Sequence, residues 1–105
     1  MSKTAQVKVL YPRQEGSTFD LHYYLATHMP LVTKHWTQYG LKGYTVTRYT
    51  EDGAFSHGCT LEWESLEAFQ KAGAGHEAVE IMSDIKNFSN QQPTIVAGEV
   101  VHKTF

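Results

Sequence analysis

The longest regular pattern in the sequence is the alternation over residues 55–64. Large or apolar side chains occupy its odd positions: Phe55, His57, Cys59, Leu61 and Trp63. Small or polar side chains occupy the even positions. A period of two predicts a β-strand with one buried face. Because one strand cannot bury a face alone, the chain must form a sheet with a second layer packed against it.

Three further segments favour strands. Residues 6–11 alternate with Val7, Val9 and Tyr11 on one face, and Pro12 ends the run. Residues 43–50 are β-branched and aromatic, and an Asp-Gly pair then predicts a tight hairpin into residues 55–64. Residues 94–102 carry the last apolar strand pattern.

The segment after the first strand predicts a helix with a break. Thr18 or Asp20 is a suitable N-cap. The apolar stripe that follows comprises Leu21, Tyr24, Leu25 and His28. Pro30 should turn Met29 away from helical dihedral angles and kink the helix beside His28. A second helical segment, residues 31–39, then ends at Gly40.

The second helical region begins at Ser65, a good N-cap, and Gly73-Ala74-Gly75 divides it in two. Its first part carries the stripe Leu66, Phe69 and Ala72. Its second part is predicted to bury Val79, Met82 and Ile85.

The resulting order, βαββαβ, predicts a ferredoxin-like α+β fold with both helices on one face of a four-stranded antiparallel sheet. We expect one domain over residues 1–105. The other sheet face carries valine, leucine and tyrosine side chains among polar ones, which makes it too apolar to be fully solvated. Its residues are Lys8, Leu10, Thr45, Thr47, Tyr49, Ser56, Thr60, Glu62, Val96 and Val100. A homodimer joined through its sheet faces into an α/β barrel would cover it.

Composition excludes several functional classes. The formal net charge is −2, which gives no basic footprint for nucleic acid or an anionic membrane. No apolar run is long enough to span a bilayer, and the N-terminus lacks a signal-peptide pattern. A single cysteine cannot form an intramolecular disulfide. We therefore expect a cytoplasmic protein.

The densest group of unusual residues lies on the first helix, which carries Tyr24, His28 and Trp36. If this helix packs over Tyr11 and Phe55, the rings enclose an apolar pocket with a few polar groups, a form typical of small-molecule sites. The alternative is that the aromatic rings simply fill the core. Two phenols and an imidazole are nevertheless more polar than a dry core tolerates well, which favours a site.

His28 is the strongest candidate for chemistry, since a neutral imidazole can exchange a proton near pH 7 or donate a hydrogen bond to a ligand. The alternative is a buried histidine that bonds to a tyrosine hydroxyl or a main-chain carbonyl. His57, on the apolar strand face, is a possible second pocket residue. The remaining histidines are expected on polar surfaces: His22, His35, His76 and His102.

Other chemistries have less support. The spacing of His22, His28 and His35 does not suit a metal site, and we expect none. Cys59 lacks a neighbouring cation and is expected to be a buried, inert thiol. No phosphate-binding loop is present, so no cofactor is expected. Glu80 and Asp84, near Lys86, have the spacing of ordinary surface charges.

The segment Phe19-Asp-Leu-His-Tyr-Tyr-Leu-Ala-Thr-His-Met-Pro-Leu-Val resembles the signature of the EthD family. Tyr39-Gly-Leu-Lys-Gly, Phe69 and Ile85-Lys-Asn-Phe-Ser-Asn-Gln-Gln-Pro resemble its later blocks, so the likeness covers nearly the whole chain. The resemblance implies a dimeric α/β barrel with a pocket between helices and sheet, His28 as its polar group and Tyr24 one turn earlier. It also implies a link to bacterial degradation of ethyl tert-butyl ether.

Together these arguments give ten candidate ligand-binding residues: Tyr11, Phe19, Tyr24, His28, Trp36, Tyr39, Phe55, His57, Phe69 and Ile85. The leading hypothesis is a homodimer that binds an apolar or aromatic molecule near His28 and transforms it without a tightly held cofactor, as a monooxygenase-like oxidoreductase would. The alternatives are a non-enzymatic carrier of a small metabolite and a haem binder that uses His28 or His57.

Overall fold

The computed structural model describes residues 3–104. Within that range four strands form one antiparallel sheet: β1 (Ala5–Pro12), β2 (Leu41–Arg48), β3 (Phe55–Trp63) and β4 (Thr94–Glu99). Their spatial order is β2-β3-β1-β4, so β1 pairs with both β3 and β4. This order confirms the predicted ferredoxin-like α+β fold.

The helices occupy the two predicted regions. The first helix, α1, covers residues 21–39 in four consecutive segments: an α-helical turn (Leu21–Tyr23), a π-helical turn (Tyr24–His28), an α-helix (Met29–Trp36) and a 3₁₀ turn (Thr37–Tyr39). The second region contains α2 (Leu66–Ala74) and α3 (Glu77–Ser83), followed by a 3₁₀ turn (Asp84–Asn87). The caps agree with the prediction. The side chains of Asp20 and Ser65 accept hydrogen bonds from backbone N–H groups, and Gly40, at φ 120°, ends α1.

The predicted break before Pro30 is wrong. Met29 is helical, with φ −67° and ψ −36°, and its N–H bonds to the carbonyl of Tyr24, five residues earlier. The π-helical turn accommodates one extra residue, and Pro30 falls in the first turn of the α-helical segment that follows, where its missing N–H costs little. The helix therefore continues past the proline and is widened rather than interrupted.

The core lies between the helices and one face of the sheet. Val7 and Tyr11 of β1 and Leu61 and Trp63 of β3 are 2% exposed or less. They pack with residues from all three helices, of which the following are buried: Tyr24, His28, Met29, Val32, Trp36, Ala68, Ala72, Ala78 and Ile81.

Two predicted buried stripes need correction. Leu25 is about half exposed, because the π-helical turn changes the helical phase that the α-helical spacing assumed. In α3 the buried residues are Ala78 and Ile81, with Ile85 just after the helix, whereas Val79 and Met82 are 68% and 43% exposed. Both sets of residues have the three- or four-residue spacing of a helical stripe, so spacing alone did not identify the buried face of α3.

The opposite face of the sheet has no covering layer within residues 3–104. Lys8 and Val96 are paired in register on this face, and both are exposed. Polar pairs cross it, including Lys8 Nζ to Thr60 Oγ1 at 3.1 Å. A groove of about 790 Å³ runs between this face and residues 100–104. No helix in the described part of the chain is long and apolar enough to cross a membrane.

Candidate functional site

An aromatic cluster lies where α1 crosses the C-terminal half of β1. Phe88, 3% exposed, is at its centre, with ring centroids 4.9 Å from Tyr24, 4.6 Å from His28 and 5.6 Å from Tyr11. The ring of Tyr24 also stacks on His28 at 5.3 Å and 18°. The rings of Tyr24, Phe88 and His28 thus contact one another in a triangle, and the two aromatic side chains restrict the orientation of the imidazole.

Beside this cluster an apolar cavity of about 50 Å³ lies between the helices and the sheet. Its lining comes from β1, β3, β4 and all three helices: Val7, Val9, Tyr11, Tyr24, His28, Met29, Val32, Trp36, Cys59, Leu61, Phe69, Ile81, Met82, Ile85 and Ile95. Met82 and Ile95 are 43% and 47% exposed, so they mark the side on which the cavity approaches solvent. Its volume holds a water-sized group, and a larger ligand requires these two side chains to move.

Six of the ten candidate residues line this cavity: Tyr11, Tyr24, His28, Trp36, Phe69 and Ile85. The other four lie elsewhere. Phe19 and His57 stack on each other at 4.2 Å on the outer side of the aromatic cluster. Phe55 is at the first position of β3, and the Tyr39 hydroxyl donates to Glu77 Oε1 at 2.7 Å near the end of α1.

The polar partner of His28 is a carboxylate. His28 Nδ1 lies 2.9 Å from Oδ2 of Asp84, whose other oxygen accepts hydrogen bonds from the Tyr23 hydroxyl at 2.6 Å and the Asn87 amide at 2.9 Å. The side chains of His28 and Asp84 are 5% and 13% exposed. The prediction that Asp84 is an ordinary surface charge is therefore wrong, because the turn after α3 directs it inward against α1.

The protonation states follow from these contacts. Burial lowers the pKa of His28, and the hydrogen bond and charge of Asp84 oppose this effect only in part. Burial acts to raise the pKa of Asp84, but the hydrogen bonds from Tyr23, Asn87 and His28 outweigh it and leave that pKa lowered. Near pH 7 the pair is thus a neutral imidazole and a carboxylate. Since a carboxylate can only accept, Nδ1 carries the proton and Nε2 is left as a base.

The remaining titratable groups of the cavity are held in their protonated forms. Burial, and then the neighbouring Cys59 thiol, raise the pKa values of Tyr11 and Tyr24. Burial also raises the pKa of Cys59 to about 11. Cys59 is 2% exposed, as predicted, and a thiol with this pKa is a poor nucleophile at neutral pH. His28 is therefore the group in the cavity best suited to accept a proton.

The other histidines lie apart from the cavity lining. His22, His76 and His102 are exposed, and His35 pairs with Glu80 at 2.5 Å on the helical surface. Among the described residues, no group of three or more histidine, cysteine or acidic side chains is arranged to hold a metal ion.

Sequence reasoning missed Asp84 and Phe88, which complete the surroundings of His28. Both come from the turn between α3 and β4, more than 50 positions away from His28. No local pattern relates segments so far apart. The available signal was weaker: Asp84 directly precedes Ile85, a position that the apolar stripe predicted to be buried.

The geometry defines a ferredoxin-like domain with a small apolar cavity and one carboxylate-oriented histidine. Among solved structures, the chain is similar to an EthD-like protein from Ralstonia eutropha JMP134, with 31% identity over 99% of this chain and 97% of that chain and a TM-score of 0.84. The chain therefore belongs to the EthD family.

Two further structures share the fold. An ethyl tert-butyl ether D (EthD) family protein from Bacillus halodurans C-125 has 24% identity, covers 93% of this chain and 99% of its own, and gives a TM-score of 0.71. SnoaB from Streptomyces nogalater, a cofactor-independent oxygenase, has 12% identity, covers 99% and 97% of the two chains, and gives a TM-score of 0.64. No protein-family model matches the sequence, and no curated protein matches it.

Proposed function

We propose that this EthD-family protein binds a small apolar molecule, aromatic or carbonyl-bearing, in the cavity beside His28 and deprotonates it there. The observation that carries the proposal is the pairing of an otherwise apolar cavity with a buried imidazole whose Nδ1 lies against Asp84. An apolar site with few polar groups is the usual form of a small-molecule site.

The chemistry follows from the tautomer. Nε2 of His28 takes a proton from an acidic O–H or C–H bond of the ligand, the electron pair stays on the ligand as a phenolate or enolate, and Asp84 stabilises the imidazolium that forms. Because the pKa of His28 is lowered, the imidazole is neutral near pH 7 and Nε2 is unprotonated. The ring of Tyr24, stacked on the imidazole, and the tilted ring of Phe88 limit the motion of the imidazole.

The deprotonated ligand is electron-rich, and dioxygen as co-substrate oxidises it without a bound cofactor. At a carbon that keeps one hydrogen, the carbanion adds dioxygen and takes back the proton to form a hydroperoxide, which loses water and leaves a carbonyl group. A cofactor-independent oxygenase with the same fold, SnoaB, agrees with this reaction class, although the likeness concerns the fold alone. The proposed class is thus a cofactor-free oxidoreductase in the breakdown of organic compounds.

The test compares two histidine variants on one panel of phenols and cyclic ketones. His28→Asn keeps a donor toward Asp84 but removes the Nε2 base, so turnover should fall by about 100-fold or more. The matched control is His57→Asn, because His57 is half-buried and stacked on Phe19 but does not line the cavity. An equal loss of turnover in both variants, or unfolding of His28→Asn, would contradict the proposal.

A carrier function is the second candidate, since the apolar cavity would retain a metabolite without any proton transfer. The two functions differ in what is released. A carrier returns the bound compound unchanged under aerobic and anaerobic conditions, and in that case His28→Asn changes affinity alone.

We infer that the protein acts as a homodimer joined through its sheet faces. The sheet face opposite the helices is uncovered within residues 3–104, and it combines Val96, 53% exposed, with hydroxyl and charged side chains. The β4 strand is exposed along its whole length, and residues 100–104 extend beside this face. A second copy placed there would cover the apolar surface and protect the sheet.

A further inference from the structure

A second residue of the cavity lining, Trp36, carries a buried polar group eight positions after His28 on α1. Among the described residues, two buried side-chain polar atoms lack a hydrogen-bond partner, Nε1 of Trp36 and Nε1 of Trp63. Buried indole N–H groups usually find a partner, because an unsatisfied donor costs free energy. Trp36 is 7% exposed and lines the cavity, whereas Trp63 does not line it.

Trp36 and His28 belong to the same face of α1. His28, Val32 and Trp36 follow one another at four-residue spacing, and all three are buried and line the cavity. Eight residues of helix separate the two polar side chains by roughly 12 Å along the axis. Both side chains incline toward the helix N-terminus, so their tips keep a separation of this order.

We propose that the indole N–H of Trp36 donates a hydrogen bond to an oxygen of the bound molecule, at the end of the cavity opposite His28. This inference rests on the proposed function and narrows its ligand class. The ligand carries an acidic proton at one end, which faces Nε2 of His28, and a carbonyl or other acceptor oxygen at the other end, which faces Trp36. Between them lies an apolar body that contacts Val32, Leu61 and Ile81.

The separation also limits the length of that body. Two hydrogen bonds of about 2.9 Å leave roughly 6 Å between the polar ends, which is the span of one or two fused rings. Such a molecule exceeds the cavity of about 50 Å³, so Met82 and Ile95 must move outward to admit it. Both are partly exposed, and methionine in particular adapts its shape readily.

A pair of ligands tests the role of Trp36. The first, 6-hydroxytetralone, has a phenol at one end and a ketone at the other. The second, 6-hydroxytetralin, has the same rings and phenol but a methylene group in place of the ketone. Both ligands are titrated by calorimetry into the wild-type protein, Trp36→Phe and Trp63→Phe. For each protein, the ratio of the two dissociation constants measures its preference for the ketone.

We expect Trp36→Phe to reduce the preference for the ketone by about 3- to 10-fold, the range that one net hydrogen bond gives. Trp63→Phe removes the other buried indole N–H but should change the preference less than twofold. An unchanged preference in Trp36→Phe, or an equal change in both variants, overturns the inference.

A measurement on the wild-type sequence keeps the inference testable if Trp36→Phe fails to fold. The chain has two tryptophans, so the ¹⁵N spectrum contains two indole signals, and Trp63→Phe identifies the signal of Trp36. Hydroxytetralone should move the Trp36 signal downfield, and hydroxytetralin should not. If both ligands bind without that difference, this inference fails alone; if neither binds, the proposed function fails with it.

Discussion

The imidazole of His28 and the carboxylate of Asp84 face each other across the packed helices, with Nδ1 and Oδ2 separated by 2.9 Å. The first belongs to the π-helical turn of α1, and the second to the turn that follows α3. Because Asp84 also accepts hydrogen bonds from Tyr23 and Asn87, its position is fixed from three sides. The pair therefore sets both the orientation and the tautomer of the histidine.

Removing the charge of Asp84 should lower the pKa of His28 further. Burial already lowers it, and the hydrogen bond and charge of Asp84 oppose burial, so Asp84→Asn leaves burial less opposed. An NMR titration of the imidazole protons measures the change. Glu80→Gln is the matched control. Glu80 lies four residues before Asp84 and pairs with a different histidine, His35, at the surface. A His28 pKa that stays constant or rises in Asp84→Asn would contradict the proposed pairing.

Acid should destabilise the protein in two steps. In the unfolded chain His28 titrates near 6.5, and burial lowers the folded value. Between these two values the unfolded chain binds more protons, so stability falls as the pH falls below 6.5. The pKa of Asp84 is also lowered from 3.8 in the fold, and its stabilisation is lost as the pH falls through the folded value.

Urea unfolding at a series of pH values from about 8 to about 2.5 covers both steps. The dependence of the free energy of unfolding on pH between 6.5 and 5 should be weaker in His28→Asn than in the wild type. Some dependence should persist, because burial and neighbouring arginines also lower the pKa of His57. The same pH dependence in both proteins would show that His28 is not held neutral by the fold.

Phe88 should be among the most costly core residues to truncate. It is 3% exposed and contacts the rings of Tyr11, Phe19, Tyr24 and His28. Phe88→Ala should lower the free energy of unfolding by about 3–5 kcal/mol, as for other buried phenylalanines. Val79→Ala, at a position 68% exposed, should change it by less than about 0.5 kcal/mol. Equal effects in thermal unfolding would show that the cluster is not packed around Phe88.

A charge on the open face of the sheet should separate the proposed dimer. Val96→Lys places an ammonium group on that face, whereas Val79→Lys places one on the outer surface of α3. Light scattering after gel filtration should give twice the chain mass for the wild type and Val79→Lys, and a single chain mass for Val96→Lys. A monomeric wild type at micromolar concentration would refute the dimer.

The sequence was sufficient to predict the order of the elements and the capping residues, because these depend on local patterns. The alternation through Cys59 and Leu61 and the caps Asp20, Ser65 and Gly40 all correspond to observed features. Helical phase was less predictable. The π-helical turn leaves no periodic signal, and in α3 the buried residues Ala78 and Ile81 have the same helical spacing as the predicted pair, Val79 and Met82.

Only the part of the site that depends on local structure could be predicted from the sequence. His28 and Tyr24 lie on one helix, one turn apart, so their proximity follows from local structure. Asp84 and Phe88 approach them from a turn more than 50 residues away, and such an approach depends on how α3 packs against α1. Trp36 was predicted as a ring in the cavity, but the lack of a partner for its N–H could be seen only once its surroundings were known.

The small volume of the cavity has a consequence for the kinetics of binding. A ligand of one or two rings cannot enter a space of about 50 Å³ until Met82 and Ile95 swing aside. When opening precedes binding, the observed association rate no longer rises in proportion to ligand concentration but levels off at the opening rate. The rate constant observed by stopped flow should therefore reach a plateau as the ligand concentration rises. Met82→Ala, which removes most of one obstructing side chain, should raise that limiting rate constant.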